Sequence, residues 1–253
     1  MRRFFRAIAH WVIIGLAGLC TNSTPATAGN SAQGKCDPIY LDIGHTAERY
    51  GATSARGKKE YDYNKRFTIE LSDKLISTVH FSTEIISGKD KDLSLNQRAK
   101  KIRSLRSGIF LSLHHDSVQP RYLSEWSYNG QKHHYSDKFA GFSVFASGRS
   151  PAFLKSVVLG QNIGQALVKA GFSPTLHHAE KITGENRPLL NADIGLYRYD
   201  GLAVLKSTRI PAILVEVGVI ANRAEEEKLG DPAHRAKIQD AILLGLKQFC
   251  SEI

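Results

Sequence analysis

Four short apolar runs, residues 39–43, 109–113, 142–146 and 212–217, alternate with stretches of helical periodicity, and this alternation constrains the fold more than any other feature. The runs are rich in Ile, Leu, Val and Phe and are bounded by Gly, Pro or Asp, as strands are. Between them, Tyr63, Phe67, Leu71 and Leu75 recur every four residues and mark one apolar helix face. Ser94-Leu95-Asn96-Gln97 has the form of a capping box that opens a basic helix through about Leu105. Residues 151–170 read as a helix closed by Gly171, and Ile238, Ile242, Leu246 and Phe249 form a last stripe. No composition break divides the chain. The pattern predicts a single α/β domain, with a twisted, mostly parallel sheet flanked by helices on both faces. In such sheets ligands bind beyond the C-terminal ends of the strands.

The first residues read as an address. Arg2, Arg3 and Arg6 precede an apolar stretch from 7 to 20, and Ala26-Thr27-Ala28 offers a small-residue cleavage site. The apolar stretch is shorter than the roughly 20 residues that a bilayer span needs. Residues 1–28 are therefore expected to be a signal peptide, 29–253 the catalytic unit, and the chain exported to the periplasm or cell envelope without a stable membrane span. Cleavage removes three arginines and no acid, so the formal charge falls from +10 to +7. That balance suits anionic envelope polymers. No Lys/Arg run interleaved with aromatics supports nucleic acid as a partner. Only Cys36 and Cys250 remain after cleavage, and two thiols in an exported chain invite a disulfide. Strand starts and helix ends share one edge in βα units, so a bridge would pin the two termini.

Three runs lead into chemically capable residues: 39–43 into Gly44-His45, 109–113 into His114, and 212–215 into Glu216. Glu60 opens the helix after the first loop. Two His and one Glu with an open position form a catalytic zinc set, and a further carboxylate can act as general base. Each residue alone is ordinary. Glu60 suits a helix N-terminus on dipole grounds. Glu216 is the hardest to explain structurally, because a carboxylate in an apolar strand needs a partner or a task.

Taken in order, the segments resemble the zinc-dependent N-acetylmuramoyl-L-alanine amidases, the type 3 cell-wall amidase catalytic domain. Asp42-Ile43-Gly44-His45 matches D-x-G-H. Gly57, Glu60 and Asn64 match G-x-x-E-x-x-x-N, and Ser112 and His114 match S-x-H, with Asp116 where the family has Asn or Asp. Val204-Leu205 through Pro211, Leu214-Val215-Glu216, Gly218 and Asn222 match the closing V-L-x…P-x-x-L-V-E-x-G-x-x-x-N. The resemblance implies His45, Glu60 and His114 as ligands of one Zn2+ per chain and Glu216 as the catalytic carboxylate. The substrate it implies is peptidoglycan, cut between N-acetylmuramic acid and L-alanine. His115 stands where the family usually has a small residue and is not the expected ligand, although its adjacency to His114 leaves a second assignment of the pair open.

Asn64, Arg98, His115, Asp116 and Arg187 are the candidate substrate contacts. Residues 118–140, with Tyr122, Trp126, Tyr128 and His133-His134, and residues 176–200, with His177-His178, Arg187 and Tyr197-Arg198-Tyr199, are candidate groove walls; ordinary polar surface loops are the competing reading. Adjacent histidines are expected to point apart, giving one useful side chain per pair. Related division amidases plug their zinc site with an inserted helix until an activator arrives. By that likeness residues 180–190 are a short candidate plug and a protein activator a candidate partner. Thr46 departs from the usual G-H-G, and residues 87–90 blur a Thr-Arg-x-x-Asp element. The competing readings are a zinc carboxypeptidase acting on wall peptides and a non-catalytic peptidoglycan-binding protein. The absence of H-E-x-x-H weighs against the first and retention of all four key residues against the second.

Overall fold

The structure is a computed structural model that describes Gly34, residues 36–88 and residues 92–253. The expected signal peptide and two residues of the blurred 87–90 element lie outside the described residues. Seven strands form one sheet: β1 (Ile39–Ile43), β2 (Thr83–Ile85), β3 (Ile109–Asp116), β6 (Ser143–Ala146), β7 (Leu189–Asn191), β8 (Leu196–Arg198) and β9 (Ala212–Val219), in the order β2-β1-β3-β9-β6-β8-β7. Between β3 and β6, β4 (Ser124–Tyr128) and β5 (Gln131–Tyr135) pair as a separate antiparallel hairpin. In the main sheet β1 runs parallel to β2 and β3, β3 to β9, and β6 to β8. Strand β6 is antiparallel to β9, and β7 to β8. The sheet is thus mostly parallel.

Among the described residues six helices cover it: α1 (Glu60–Val79), α2 (Leu95–Arg103), α3 (Phe153–Lys169), the short α4 (Ala203–Lys206), α5 (Arg223–Gly230) and α6 (Pro232–Glu252). Strand alternation divides the core in two. Leu111, Leu113, Ile213 and Val215 pack with Phe67, Leu71, Leu159 and Ile242 from α1, α3 and α6. Phe110, Ala212 and Leu214 face the other way and pack with Ile102, Val204 and Tyr197. Side chains of a strand alternate between faces, so parity decides which residues of β3 and β9 reach which layer. The smaller layer is incomplete toward the strand ends, and the polar residues emerge there. Ser94 caps α2 with the reciprocal Gln97 contact. Cys36, ahead of β1, is disulfide-bonded to Cys250 in α6, across 214 residues of sequence. Among the described residues no helix is long and apolar enough to cross a membrane.

Candidate metal centre and active site

Strand β3 extends past its apolar run, so His114, His115 and Asp116 are strand residues. Strand β9 likewise continues through Glu216 to Val219. These two strands pair in parallel, and His114 and Glu216 are register partners. Both lie on the face of Phe110 and Leu214. His115 has the opposite parity. Its ring packs 5.5 Å from Tyr63 and 6.0 Å from Phe67 on the α1 side, away from the group that His114 forms with His45 and Glu60.

Glu60 sits at the start of α1, where the helix dipole favours a carboxylate. Its Oε2 lies 3.0 Å from His45 Nε2 and its Oε1 3.1 Å from His114 Nδ1. One nitrogen of each imidazole and a Glu60 oxygen fall within 4.8 Å of one another. Burial would raise the Glu60 pKa, but contacts with His114 and His45 outweigh it and hold the carboxyl below its usual range. Two imidazole nitrogens, each about 3 Å from one oxygen of the same carboxylate, fit the donor types of zinc. The backbone makes room for them. A Cβ on Gly44 would stand 2.6 Å from the His114 ring, so only glycine fits there.

Outer contacts fix these groups. Ala52 N–H donates to Glu60 Oε2 (2.9 Å), and Asn64 Nδ2 donates to Glu60 Oε1 (3.0 Å) and Gly44 O (3.2 Å). Asn64 Oδ1 in turn accepts from His115 Nδ1 (2.8 Å). Burial pushes the His115 pKa down to about 3, so it is a neutral packing element. Asp42 is fully buried and accepts from Ser112 Oγ (2.9 Å) and Arg98 Nη1 (3.1 Å). Arg98 also donates to Ile43 O (3.3 Å), which anchors the strand end before His45.

Glu216 is only partly exposed, and its Oε2 is sealed without a hydrogen-bond partner. Burial raises its pKa well above the usual carboxylate range, and the charges of Asp116 and Glu60 raise it further. A carboxyl so placed takes a proton readily, which suits an acid–base role. A cleft of about 670 Å³ lies over His45 and His114, with walls that include Arg49, Leu95, Arg98 and Leu202.

The profile of the N-acetylmuramoyl-L-alanine amidase family matches residues 39–248. The chain belongs to that family. It is 26% identical over 239 residues to N-acetylmuramoyl-L-alanine amidase AmiC of Neisseria meningitidis serogroup B, covering 92% of this chain and 57% of that protein. The chain therefore spans little more than half the length of that relative. Among solved structures, the N-acetylmuramyl-L-alanine amidase Ami1 of Mycobacterium smegmatis superposes with a TM-score of 0.65 at 21% identity, covering 86% of this chain and 98% of that one. The CwlD amidase of Clostridioides difficile, solved in complex with the GerS lipoprotein, gives 0.63 at 20% identity, over 86% and 100%. At these identities the structures show a shared amidase-domain fold.

Within this amidase fold, several expected substrate contacts are turned inward. Asn64 and His115 are buried and bonded to each other, and Arg98 is committed to Asp42; these three position the strand ends and Glu60. Asp116 is buried against His178, Nε2 to Oδ2 2.8 Å. Arg187 lies 3.8 Å over the Tyr199 ring, beside Glu216 in a smaller cavity of about 130 Å³. The 118–140 segment contains the β4–β5 hairpin, whose aromatics are engaged: Trp126 Nε1 donates to Ala55 O (2.8 Å), and Arg56 and Arg223 lie over its ring. Within residues 180–190, Glu185 is bound to Gln119 (2.6 Å) and His178 (2.9 Å), and with Gly184 and Arg187 it lines the small cavity beside Glu216. His177 and His178 do not point apart. They occupy a 3-10 turn, where both rings turn to Asp116. His177, His178 and Glu185 form the cluster that sequence reasoning missed, since a turn leaves no periodic signal.

Proposed function

We propose that this chain is an exported peptidoglycan hydrolase that cleaves the amide between the lactyl group of N-acetylmuramic acid and L-alanine. His45, Glu60 and His114 hold one zinc ion, and Glu216 is the general base. The observation that carries this reading is the pairing of Glu216 with His114 across β3 and β9, with a buried Oε2 that has no hydrogen-bond partner. When bound there, zinc supplies Lewis acidity, lowering the pKa of a water to about 7 and polarising the scissile carbonyl.

This chain's residues do the rest. Glu216 takes a proton from the attacking water and returns it to the departing L-alanine amine. Asn64 and Ala52 orient the Glu60 carboxylate, and the Asp42–Arg98 pair fixes the strand end that carries His45. The cleft beside His45 and His114 receives the glycan-linked stem. Residues 1–28 are the export signal, and the mature catalytic unit of 29–253 works in the periplasm or cell envelope. A protein activator is a reasonable partner to seek, since a structural relative was solved with a lipoprotein.

The test is zinc content of the mature protein together with digestion of purified peptidoglycan, with and without chelator. About one zinc at this centre and chelator-sensitive release of stem peptides bearing a new L-alanine amine are expected. Trimming of the stem peptide without its release from the glycan would instead identify a carboxypeptidase.

A further inference from the structure

A second cluster of metal-binding side chains stands apart from the His45–Glu60–His114 centre. Asp116 Oδ2 lies 2.8 Å from His178 Nε2 and 3.4 Å from His177 Nε2, and the three donor atoms fall within 4.8 Å of one another. Each histidine is held from behind. His177 Nδ1 is hydrogen-bonded to Thr175 Oγ1 (2.8 Å), and His178 Nδ1 donates to Glu185 Oε2 (2.9 Å). Both Nε2 atoms are thereby aimed at one carboxylate oxygen. Asp116 Oδ1 is occupied by Ser117 N–H (2.8 Å), so Oδ2 alone faces the imidazoles.

One atom here is unexplained by protein contacts. His177 is 3% exposed, and its Nε2 has no hydrogen-bond partner. Leaving a buried polar nitrogen unpaired costs on the order of 1–3 kcal/mol. Metal-binding imidazoles have this arrangement, with one nitrogen fixed by an outer carboxylate or hydroxyl and the other free toward the ion. Tetrahedral bonds of roughly 2.0–2.1 Å separate neighbouring ligand atoms by about 3.3 Å. The Asp116–His177 separation of 3.4 Å already matches, and the Asp116–His178 separation needs to open by only about half an ångström. Charge points the same way. Asp116 and Glu185 both face the imidazoles, and the small cavity lined by His178, Glu185 and Glu216 gives an ion a way in.

We propose that Asp116, His177 and His178 bind a second divalent ion of the zinc class, with Glu185 and Thr175 as outer partners of the two imidazoles. Two nitrogens and one oxygen select a borderline transition ion over magnesium or calcium, which take oxygen ligands. On binding, the ion displaces the proton that otherwise bridges His178 Nε2 and Asp116 Oδ2.

Metal stoichiometry tests this without reference to activity. The untagged mature protein is equilibrated with Zn2+, freed of excess ion by gel filtration and analysed by mass spectrometry for zinc. Wild type is expected to hold two ions per chain. His45→Ala, which disables the first centre, and His177→Ala, which disables the second, are each expected to hold one, and the double variant none. Co2+ substitution in the His45→Ala protein should give a visible absorption band that His177→Ala abolishes. Circular dichroism confirms folding, and Asp116→Asn serves if His177→Ala does not fold. A wild type with a single ion and a His45→Ala protein with none would overturn the proposal and leave Asp116–His178–Glu185 as a hydrogen-bonded triad. Two ions unaffected by both His177→Ala and Asp116→Asn would overturn the ligand assignment.

Discussion

Gly51 lies against Glu60 so closely that a Cβ on it would stand 2.2 Å from Oε2, and its backbone has φ +79°. The same Cβ would meet the His45 ring at 2.5 Å. Close approach and left-handed backbone both demand glycine, and together they set how far the loop carrying His45 can close on α1. Gly51→Ala is expected to leave the fold intact and to lower zinc affinity about 10–100-fold, as loss of a ligand's support typically does. A chelator-competition titration measures it. Unchanged affinity would show that the loop relaxes freely and that Gly51 is not needed.

Asn64 joins three parts of the site, through its bonds to Glu60, Gly44 and His115. Asn64→Leu removes these contacts and strands the buried His115 Nδ1–H. Zinc affinity should fall about 10–100-fold and thermal stability should also drop. Asn64→Asp, which keeps the acceptor for His115 but replaces the donor to Glu60 and Gly44 with a charged oxygen, should weaken zinc binding without restoring stability. A substrate-contact role predicts the opposite pattern, a raised KM with metal content unchanged.

Most of the sheet was legible because buried strands announce themselves by apolar content. Strand β1 spans the run read from the sequence, and Ser94 caps its helix as the motif indicates. Strands β3 and β9 run on beyond their apolar cores because His114–Asp116 and Glu216 break the hydrophobic pattern while the backbone pairing continues. Function itself hides the strand end. Strands β2, β7 and β8 have three residues each, too few for a periodicity. The β4–β5 hairpin did carry a signal: Asn129-Gly130, both at positive φ, is the turn pair that such a hairpin favours, set between two polar strands. The family resemblance pointed to His45, Glu60 and His114, and these three side chains do converge. The burial of Asn64, Arg98 and His115 was not legible, because their partners come from distant segments.

Glu216 is a register neighbour of His114 and has no protein partner for Oε2. Glu216→Gln keeps the size and removes the base. Zinc content should match wild type while turnover on peptidoglycan falls by about 10²–10⁴, the usual share of general acid–base catalysis. A variant that digests peptidoglycan at the wild-type rate would remove Glu216 from the mechanism.

The Cys36–Cys250 bridge closes almost the entire described chain on itself. Long loops restrict the unfolded chain most, and removal of such a bridge typically costs about 2–5 kcal/mol. Cys36→Ser with Cys250→Ser should lower the denaturant midpoint accordingly, while zinc binding per folded molecule is preserved because the bridge lies at the strand starts and the ligands at the strand ends. A midpoint equal to wild type would mean that packing of α6 through Ile242 and Phe249 suffices to hold the termini.

Arg235 ties α1 to α6 and also caps α5. It donates to Glu70 (2.7 and 2.8 Å) and to Leu229 O (3.2 Å) and Gly230 O (2.7 Å). Its hydrogen bonds to Glu70 hold that carboxyl below the usual range, more than offsetting partial burial. A depressed carboxylate stabilises the fold fully above its unfolded pKa of about 4.3 and loses that contribution as pH falls through the folded value. Glu70→Gln should therefore cost stability at pH 7, by no more than about 1 kcal/mol because Glu70 is over a third exposed. The cost should shrink as pH falls below about 4, because the unfolded chain takes up its proton there first and folded Glu70 follows only at its lower value. Urea unfolding of both proteins at about pH 7, above that loss, and at about pH 3.5, below the unfolded pKa, measures the difference. A cost that stays constant across that range would mean that hydrogen-bond geometry around Arg235, which the neutral amide of the variant reproduces imperfectly, decides the effect, and not the charge of the ion pair.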